Sequence, residues 1–386
     1  MKNALILSGG GARAAYQVGV LKALAELLPP GAPSPFPIIC GTSAGAINAV
    51  TLAAHEGSFA GAVQRLEEIW LALEPGSIYR CGWLELGGSA GRLLLSLINR
   101  GVGVGKPLAL LDNAPLAGLI RHAIDFGKID RAIGRGDLHA VAVTATGYGT
   151  GRSMCFFQGH PDIREWERYR RSGRRTLINS DHLMASSAIP TLFPAARIEF
   201  EYFGDGSVRQ LAPLSPALHL GADRLFIIGV SANRRSPRPP DPAVTSHSPS
   251  VAQIIGHLLN SAFIDSLDSD IERLDRINAL IAERELADID AKGSGLRFID
   301  RQVISPTVAL DAMAAECVEA LPASLRAVLR VTGGTESGAG AIAASFLLFA
   351  REFIEPLIDL GYRDAMAQRD EFRRFPLPAA EDISAA

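Results

Sequence analysis

Near the start of the chain, a continuous apolar run and a helical apolar pattern are separated by glycines. Residues 3–7 (NALIL) form a continuous apolar run that predicts a buried strand. The following helix is predicted from apolar residues on one face, Val18, Leu21, Ala25 and Leu28. Pro-Pro-Gly at 29–31 ends this helix, a second apolar run at 36–40 leads into a Gly-Thr-Ser-Ala-Gly turn, and residues 44–55 again predict a helix. The chain therefore begins as strand, turn and helix, twice over.

Further apolar segments predict four more strands, over residues 141–146, 154–158, 198–203 and 225–230. Helical patterns lie between several of them. Alternating strands and helices favour a parallel or mixed sheet that is covered by helices. We therefore predict an α/β fold for this part of the chain.

The character of the sequence changes after residue 233. Residues 234–242 (RRSPRPPDP) combine prolines with charges, which opposes regular structure. We interpret residues 234–249 as a Pro-rich linker between a first domain at 1–233 and a helical carboxyl-terminal region at 250–386, which we expect to pack on the first domain. Two stretches of this region have helical patterns, residues 251–290 and 342–364.

Residues 82–105 mix glycines with large apolar side chains, among them Trp83, Leu84, Leu86 and the run at 93–95. Two interpretations stay open. The segment is either an apolar flap over a site or a buried helix with loose ends.

The composition is that of a globular protein. With 386 residues, of which 48% are hydrophobic, the chain can bury a sizeable core. A formal net charge of -3 gives no electrostatic reason to bind nucleic acid, and we expect no such partner. The cysteines have neither zinc-type spacing nor the density of a disulfide framework, so we expect reduced thiols and no metal site: Cys40, Cys81, Cys155 and Cys317.

The amino terminus has one lysine before an apolar run and superficially resembles a secretory signal, but the run is too short. Residues 4–7 are the continuous apolar run before the first glycines, which is shorter than the roughly 7 to 15 residues of a signal core. No later stretch approaches the ~18 uninterrupted apolar residues of a membrane span. We therefore expect a cytoplasmic protein, and a peripheral membrane contact stays open.

Ser43 stands in a Gly-x-Ser-x-Gly sequence between the second predicted strand and its helix. Such a turn projects the serine hydroxyl from the end of a sheet, and Gly41 and Gly45 let strand and helix approach closely around it. The amino terminus of the helix favours developing negative charge. An α/β-hydrolase would place several strands before this turn and would need a late histidine, and neither feature is present. His219, in an LHLGAD stretch, more plausibly closes a helix.

The first turn contains a second glycine motif, Ser8-Gly9-Gly10-Gly11-Ala12-Arg13. Consecutive glycines after a strand leave backbone N–H groups open at a helix start, where they can bind an oxyanion. A dinucleotide loop would require glycine at position 14, which is Ala14, and a Walker loop would require a lysine before serine or threonine. Arg13 is a candidate for binding a phosphate or carboxylate, or for a salt bridge.

These motifs together resemble the patatin-like phospholipase family, in which GGGxR precedes GxSxG. The third motif of that family, Asp-Gly-Ala or Asp-Gly-Gly, is matched by Asp205-Gly206-Ser207. The segments at 186–195 (SSAIPTLFPA) and 211–223 (LAPLSPALHLGAD) are also similar, so that the resemblance covers residues 3–232. Ala14 and Ser207 depart from the family pattern, and both are small residues.

The resemblance implies a three-layer α/β sandwich with a central, mostly parallel sheet. It also implies that Ser43 is the nucleophile and Asp205 its direct partner, without a histidine. A solvated aspartate, with a pKa of ~3.9, is a poor base for an alcohol, so we expect desolvation to raise its proton affinity. The oxyanion hole is expected at Gly9, Gly10 and Gly11, and the remaining motif and substrate-binding positions are Arg13, Gly41, Gly45 and Gly206.

The expected function is that of a lipid acyl-ester hydrolase, of the phospholipase A or lysophospholipase type, that needs no cofactor. An acyltransferase with the same dyad and a non-catalytic lipid-binding protein of the same fold are the alternatives. The arginine-rich stretch at 164–175, which includes Trp166 and Tyr169, is either a membrane contact or a solvated loop. The sequence does not indicate the oligomeric state.

Overall fold

The computed structural model describes residues 1–98, 107–232, 251–283, 296–331 and 339–374. Its centre is a ten-stranded mixed sheet. The strands are β1 (Asn3–Leu7), β2 (Ile38–Thr42), β3 (Ala140–Gly147), β4 (Ser153–Gly159), β5 (Trp166–Arg168), β6 (Arg171–Arg175), β7 (Ala196–Ile198), β8 (Glu201–Asp205), β9 (Arg224–Ile228) and β10 (Asp300–Ile304).

Helices surround this sheet. Those before residue 233 are α1 (Ala15–Leu27), α2 (Ala44–Ala53), α3 (Phe59–Leu71), α4 (Pro75–Ile78), α5 (Trp83–Ile98), α6 (Ala114–Ala123), α7 (Gly127–Arg135), α8 (Ser180–Ser186) and α9 (Ser215–His219). Those after residue 250 are α10 (Val251–Asn260), α11 (Ser266–Glu283), α12 (Leu310–Glu316), α13 (Ala323–Val331), α14 (Ala339–Leu347), α15 (Arg351–Ala367) and α16 (Arg369–Arg374). A π-helical turn at Ser261–Asp265 joins α10 to α11.

The sheet lies between two separate hydrophobic clusters, which makes the fold a three-layer sandwich. Successive residues of β1 alternate between them: Leu5 and Leu7 belong to one cluster, and Ala4 and Ile6 to the other. Side chains of a strand point alternately to opposite faces, so both faces of β1 are buried. The predicted α/β architecture is confirmed.

The order of strands is β10-β9-β1-β2-β3-β4-β6-β5. Neighbours from β10 to β3 pair in parallel, whereas β4 is antiparallel to β3. One edge of β3 is shared by two strands: β2 pairs with its first part, up to Thr42 opposite Thr144, and β8 pairs antiparallel with its end, from Asp205 opposite Ala145. β8 therefore approaches β2 head on, at the point where β2 ends.

Three details differ from the sequence-based expectations. The predicted strand at 198–203 is a hairpin of β7 and β8, because the chain turns at Glu199, which has a φ of 52°. The short strands β5 and β6 were not predicted. The carboxyl-terminal region is not only helical, since β10 pairs in parallel with β9 and extends the sheet.

The carboxyl-terminal helices share a core with the first part of the chain. Where α15 packs against α1, a Cβ added to Gly19 would lie 1.9 Å from the Ile358 carbonyl oxygen, and one added to Gly361 would lie 2.1 Å from the Tyr16 carbonyl oxygen. The Tyr16 hydroxyl also donates a hydrogen bond to Asp364. The two helix backbones are thus in direct contact, which only glycine permits.

Three predicted segments lie wholly or partly outside the described residues, among them the helical pattern at 251–290, of which residues 251–283 are described. The Pro-rich linker at 234–249 is another. Of the segment at 82–105, α5 is described as far as residue 98, with Trp83 and Leu84 exposed and Leu86 buried. No helix among the described residues has the length and apolarity needed to cross a bilayer.

Candidate active site

Ser43 occupies a strained turn between β2 and α2. Its φ of 56° and ψ of -129° are rare for a residue with a side chain. A Cβ on Gly41 would lie 2.3 Å from the Gly45 carbonyl oxygen, and a Cβ on Gly45 would lie 2.4 Å from that of Leu7. The two glycines of the motif are therefore required by close backbone contacts on either side of the serine.

Asp205 meets Ser43 because β8 ends where β2 ends. The Ser43 hydroxyl donates a hydrogen bond of 2.6 Å to Oδ2 of Asp205, and the Ser207 N–H donates one of 2.9 Å to Oδ1. Both Ser43 and Asp205 are buried. Burial raises the pKa of Asp205 from 3.8 to about 7, and the hydrogen bonds from Ser43 and Ser207 oppose that rise. The carboxyl group can thus exchange a proton near neutral pH.

Gly206 makes this close arrangement possible. A Cβ at this position would lie 2.1 Å from the Thr144 carbonyl oxygen, so a larger residue would push the Asp205 turn away from β3. The Thr146 hydroxyl adds a hydrogen bond of 2.8 Å to the Asp205 carbonyl oxygen. The aspartate is therefore held by main-chain contacts at its own position and at the next.

Ser186 also positions the turn, although sequence reasoning did not single it out. The Ser43 N–H donates a hydrogen bond of 2.8 Å to the Ser186 hydroxyl, which in turn donates one of 2.6 Å to the Thr144 carbonyl oxygen. The SSAIP stretch was noticed as a family resemblance, and that was the available signal. The next residue, Ser187, is also buried, but its hydroxyl has no hydrogen-bond partner among the described residues.

The glycine loop lies beside the serine turn. The Gly45 Cβ position described above is also 2.5 Å from the Ser8 carbonyl oxygen, and Gly11 lines the same cavity as Ser43. Within the described part of the chain, the backbone N–H groups of Gly9, Gly10 and Gly11 donate no hydrogen bond. Gly11 has a φ of +55°, and a Cβ there would lie 2.2 Å from the Phe346 carbonyl oxygen. The loop thus has N–H groups without a described partner, and at Gly11 it reaches the cavity that Ser43 also lines.

Arg13 does not line this cavity. Its guanidinium is buried, donates a hydrogen bond of 2.7 Å from Nε to Ser345, and lies 4.4 Å from the centre of the Phe346 ring. Burial lowers the pKa of Arg13 to about 10, and the charge of Asp311 opposes the change. In this structure the arginine attaches α14 to the glycine loop through Ser345 and Phe346, and it stands behind the cavity wall that Phe346 forms.

The cavity beside Ser43 is almost entirely apolar. Its walls come from both parts of the chain and include Ile47, Leu66, Trp70, Leu116, Phe193, Phe346 and Phe349. Phe349 stacks on Trp70 with ring centres 6.2 Å apart. Ser43 is only 2% exposed, and the space beside it is this cavity.

No histidine among the described residues hydrogen-bonds to the side chain of Ser43 or Asp205. Among the described residues, the hydrogen-bond partners of the Ser43 and Asp205 side chains are each other and Ser207. His219 lies elsewhere, where its ring stacks on Trp166 at 4.8 Å and Nδ1 is 2.8 Å from the Ser215 carbonyl oxygen. The prediction that His219 ends a helix agrees with its position at the end of α9.

The arginine-rich stretch at 164–175 forms the β5–β6 hairpin at the edge of the sheet. Trp166 is not available for a membrane contact, because it is stacked between Phe157 and His219. The Arg175 guanidinium donates hydrogen bonds to main-chain carbonyl oxygens within residues 159–163. Tyr169, at the turn of the hairpin, is 84% exposed.

Within the described ranges, three side chains that could ligate a metal ion lie close together at one place. His139, His160 and Asp162 lie near the amino end of β3, at the opposite end of that strand from Asp205. Nζ of Lys2 is 3.1 Å from Nε2 of His139, where its positive charge opposes a cation. The group is separate from the serine site.

The fold and the site together define the class of protein. It is a three-layer α/β sandwich in which a strained serine after a central strand faces a buried aspartate. The sequence model of the patatin-like phospholipases matches residues 5–218. The chain belongs to the patatin-like phospholipase family.

Among curated proteins, a cGAMP-activated phospholipase of Pseudomonas aeruginosa (strain BWHPSA011 / Pa011) is 33% identical over 217 residues. The match covers 56% of this chain and 55% of that protein, so it spans about half the length of the relative. Among solved structures, VipD of Legionella pneumophila aligns at 13% identity over 96% of this chain and 67% of its own, with a TM-score of 0.34. ExoU of Pseudomonas aeruginosa, solved with SpcU, aligns at 14% identity over 89% and 70%, with a TM-score of 0.27. Scores this low add nothing to the fold assignment.

Proposed function

We propose that this protein is a lipid acyl-ester hydrolase in which Ser43 is the nucleophile and Asp205 the general base. The observation that carries the proposal is the hydrogen bond of 2.6 Å from the Ser43 hydroxyl to the buried carboxylate of Asp205. Membership of the patatin-like phospholipase family supports it, as does the apolar cavity that begins at Ser43. A nucleophile within hydrogen-bond reach of its base is the arrangement that covalent catalysis requires.

In the first half of the cycle, Oγ of Ser43 attacks the carbonyl carbon of an ester while Asp205 takes the hydroxyl proton. The free N–H groups of Gly10 and Gly11 stabilise the oxyanion, with Gly9 at the start of the same loop. When the carbon–oxygen bond to the alcohol breaks, Asp205 returns the proton to the leaving oxygen. The acyl group then remains on Ser43 as an ester.

In the second half, water attacks the acyl carbon and Asp205 accepts a proton from it. Collapse of this second tetrahedral intermediate releases the fatty acid, and the proton restores the Ser43 hydroxyl. A base with a pKa near 7 suits both steps at neutral pH, because about half of it is deprotonated there and it holds a proton well enough to take one from an alcohol.

The lining of the cavity favours a long hydrocarbon group over a polar one. Apart from the hydroxyls of Ser43 and Ser187, the side chains around the cavity are apolar. An acyl chain would bury itself there at about 0.8 kcal/mol per methylene. We therefore propose acyl esters of lipids as the substrate class, with phospholipase A and lysophospholipase activity as the specific forms to test.

The test is hydrolysis of a panel of phospholipids and lysophospholipids, together with labelling by a fluorophosphonate probe. We expect turnover and labelling by the native chain, and a loss of at least 1,000-fold in kcat in Ser43→Ala and in Asp205→Asn. The matched controls are Ser269→Ala and Asp125→Asn, both exposed and distant in sequence from Ser43 and Asp205. Equal turnover in all five proteins would reject the proposal.

The same assay separates the two alternatives. With an added acceptor alcohol, an acyltransferase would form a new ester in place of free fatty acid. A non-catalytic lipid-binding protein would leave every substrate intact and would not be labelled at Ser43. Release of fatty acid with and without the acceptor is the result expected of a hydrolase.

A further inference from the structure

Ser43 lies at the edge of the sheet that the carboxyl ends of β2 and β3 form. The β7–β8 hairpin projects beyond this edge. Phe203 of β8 is opposite Gly147, the last residue of β3, so Glu201 and the turn at Phe200 lie past the end of that strand. From Phe200 to Asp205 are five residues of extended chain, about 17 Å at 3.3–3.4 Å per residue. The turn thus stands clear of the sheet on the side of the proposed dyad.

The turns at this edge expose large apolar side chains. Phe200 is 96% exposed, and Leu211, which follows the Asp205 turn, is 71% exposed. The β5–β6 turn lies at the same edge, because the Ser153 N–H, at the start of β4, donates to the Arg170 carbonyl oxygen. We call these exposed residues the edge patch: Tyr148, Tyr169, Phe200, Tyr202, Val208 and Leu211.

The edge patch is continuous across the two turns nearest Asp205. The Tyr148 N–H donates to the Tyr202 carbonyl oxygen at 2.9 Å, and a Cβ on Gly204 would lie 2.5 Å from the Tyr148 hydroxyl. Tyr148 therefore lies against the residue that precedes Asp205, and its pKa is raised by burial first and by the charge of Asp205 second. The patch therefore adjoins the site.

The charges on the same turns are mainly positive. The arginines are Arg152, Arg168, Arg170, Arg197 and Arg209, and the acidic residues are Glu167, Glu199 and Glu201. Arg152 is paired with Glu167, and the Glu201 carboxylate accepts a hydrogen bond from the Thr150 N–H. Arg170, Arg197 and Arg209 have no carboxylate partner in the described parts of the chain.

We infer that the edge patch docks the protein on the surface of a phospholipid bilayer that contains anionic lipid, and that this surface supplies the substrate. Aromatic side chains beside unpaired arginines fit the interface between acyl chains and phosphate groups. The span of about 17 Å from Phe200 to the dyad is comparable with one leaflet, about 20 Å. The inference rests on the proposed function for its substrate, but the docking itself requires no turnover.

The experiment measures binding of the Ser43→Ala protein to phosphatidylcholine vesicles with and without phosphatidylglycerol. We expect binding that is stronger with phosphatidylglycerol and weakened by salt, and a loss of roughly tenfold or more when Phe200→Ser is added. The matched control is Leu177→Ser, which removes a side chain that is 67% exposed and follows β6 at the opposite edge of the sheet. It should bind as tightly as the parent.

The docking inference would be overturned if Phe200→Ser bound vesicles as tightly as the parent, or if Leu177→Ser lost as much binding as Phe200→Ser. Proteins that keep Ser43 are also assayed with a short, water-soluble ester. This assay separates a failure of the docking inference from a failure of the proposed function. Phe200→Ser should hydrolyse that ester at the native rate, since Phe200 contacts neither the dyad nor the cavity. A native chain that binds vesicles but hydrolyses no ester would reject the hydrolase and leave the docking surface supported.

Discussion

The main-chain N–H of Ser43 donates its hydrogen bond to the side chain of Ser186, which reaches it from a helix 143 residues further along the chain. The Ser186 hydroxyl passes a hydrogen bond on to the carbonyl of Thr144 in β3. The strained turn is therefore connected to the sheet through a side chain as well as through its own backbone. β2 ends at Thr42, so the Ser43 N–H has no acceptor on a neighbouring strand, and the Ser186 hydroxyl serves as its acceptor.

Ser186→Ala should destabilise the protein by about 1–3 kcal/mol, because it leaves the buried Ser43 N–H and Thr144 carbonyl without a partner. Denaturant unfolding of Ser186→Ala and Ser187→Ala measures the difference. The Ser187 variant is the matched control, since its hydroxyl has no described partner to lose, and it should change stability by less than about 0.5 kcal/mol. Equal effects in the two variants would contradict the role of Ser186.

The pH dependence of activity should follow Asp205. With its pKa raised to about 7 by burial, Asp205 becomes protonated as pH falls below that value, so the carboxylate that we propose as the base is lost. We expect kcat/KM to decrease about tenfold per pH unit below pH 7 and to level off above it. A profile measured with a soluble ester tests this, and activity that stays constant between pH 5 and 8 would exclude Asp205 as the titrating base.

The same pKa has an opposite consequence for stability. The folded protein keeps a proton on Asp205 between about pH 4 and pH 7, where the unfolded chain has released it. Folding therefore becomes less favourable as pH rises through this window, by up to about 4 kcal/mol, and the loss is complete above pH 7. Asp205→Asn should remove this loss and be more stable than the native chain at pH 8, while Asp125→Asn should not. Unfolding curves at pH 5 and pH 8 provide the comparison.

Much of the site was accessible from the sequence because it depends on local backbone chemistry. Gly41 and Gly45 are required by contacts within one strand-turn-helix unit, and the spacing of the motif encodes that unit. The predicted positions of β1, β2, β3, β4 and β9 were close to those of the structure because their residues are apolar on both faces. Elements of that kind have the clearest patterns.

The remaining features depend on distant contacts. β6 (RSGRR) and β10 (DRQVI) are too polar to read as strands and form because they pair with an existing sheet edge. Phe346 in α14 and Phe349 just after it belong to an apolar stretch like that of any core segment, and only the packing of this segment shows that they line the cavity beside Ser43. Arg13 similarly has a buried partner more than 300 residues away, in Ser345. Sequence periodicity carries no information about such pairs.

Phe349→Ala should change the acyl-chain preference of the proposed hydrolase. The substitution enlarges the cavity beside Ser43, so longer or branched chains should gain in kcat/KM relative to short ones. It should also reduce stability by about 3–5 kcal/mol. Phe353→Ala is the matched control, because Phe353 is buried in the same region but does not line the cavity. A shift in preference in both variants, or in neither, would show that Phe349 does not shape an acyl site.

Gly361→Ala should destabilise the whole protein, because α15 and α1 form one packing unit with the proposed catalytic part of the chain. The new methyl group would lie 2.1 Å from the Tyr16 carbonyl oxygen, and since both partners are helix backbone the helices must separate. We expect a loss of about 1–3 kcal/mol or more, seen as one cooperative transition at lower denaturant concentration. Gly118→Ala, in α6, is the control: nothing lies within 4 Å of its Cβ position, so the variant should gain up to about 1 kcal/mol. If Gly361→Ala instead produced a second, separate transition while hydrolysis by the remainder persisted, the carboxyl-terminal helices would have to be regarded as an independent domain.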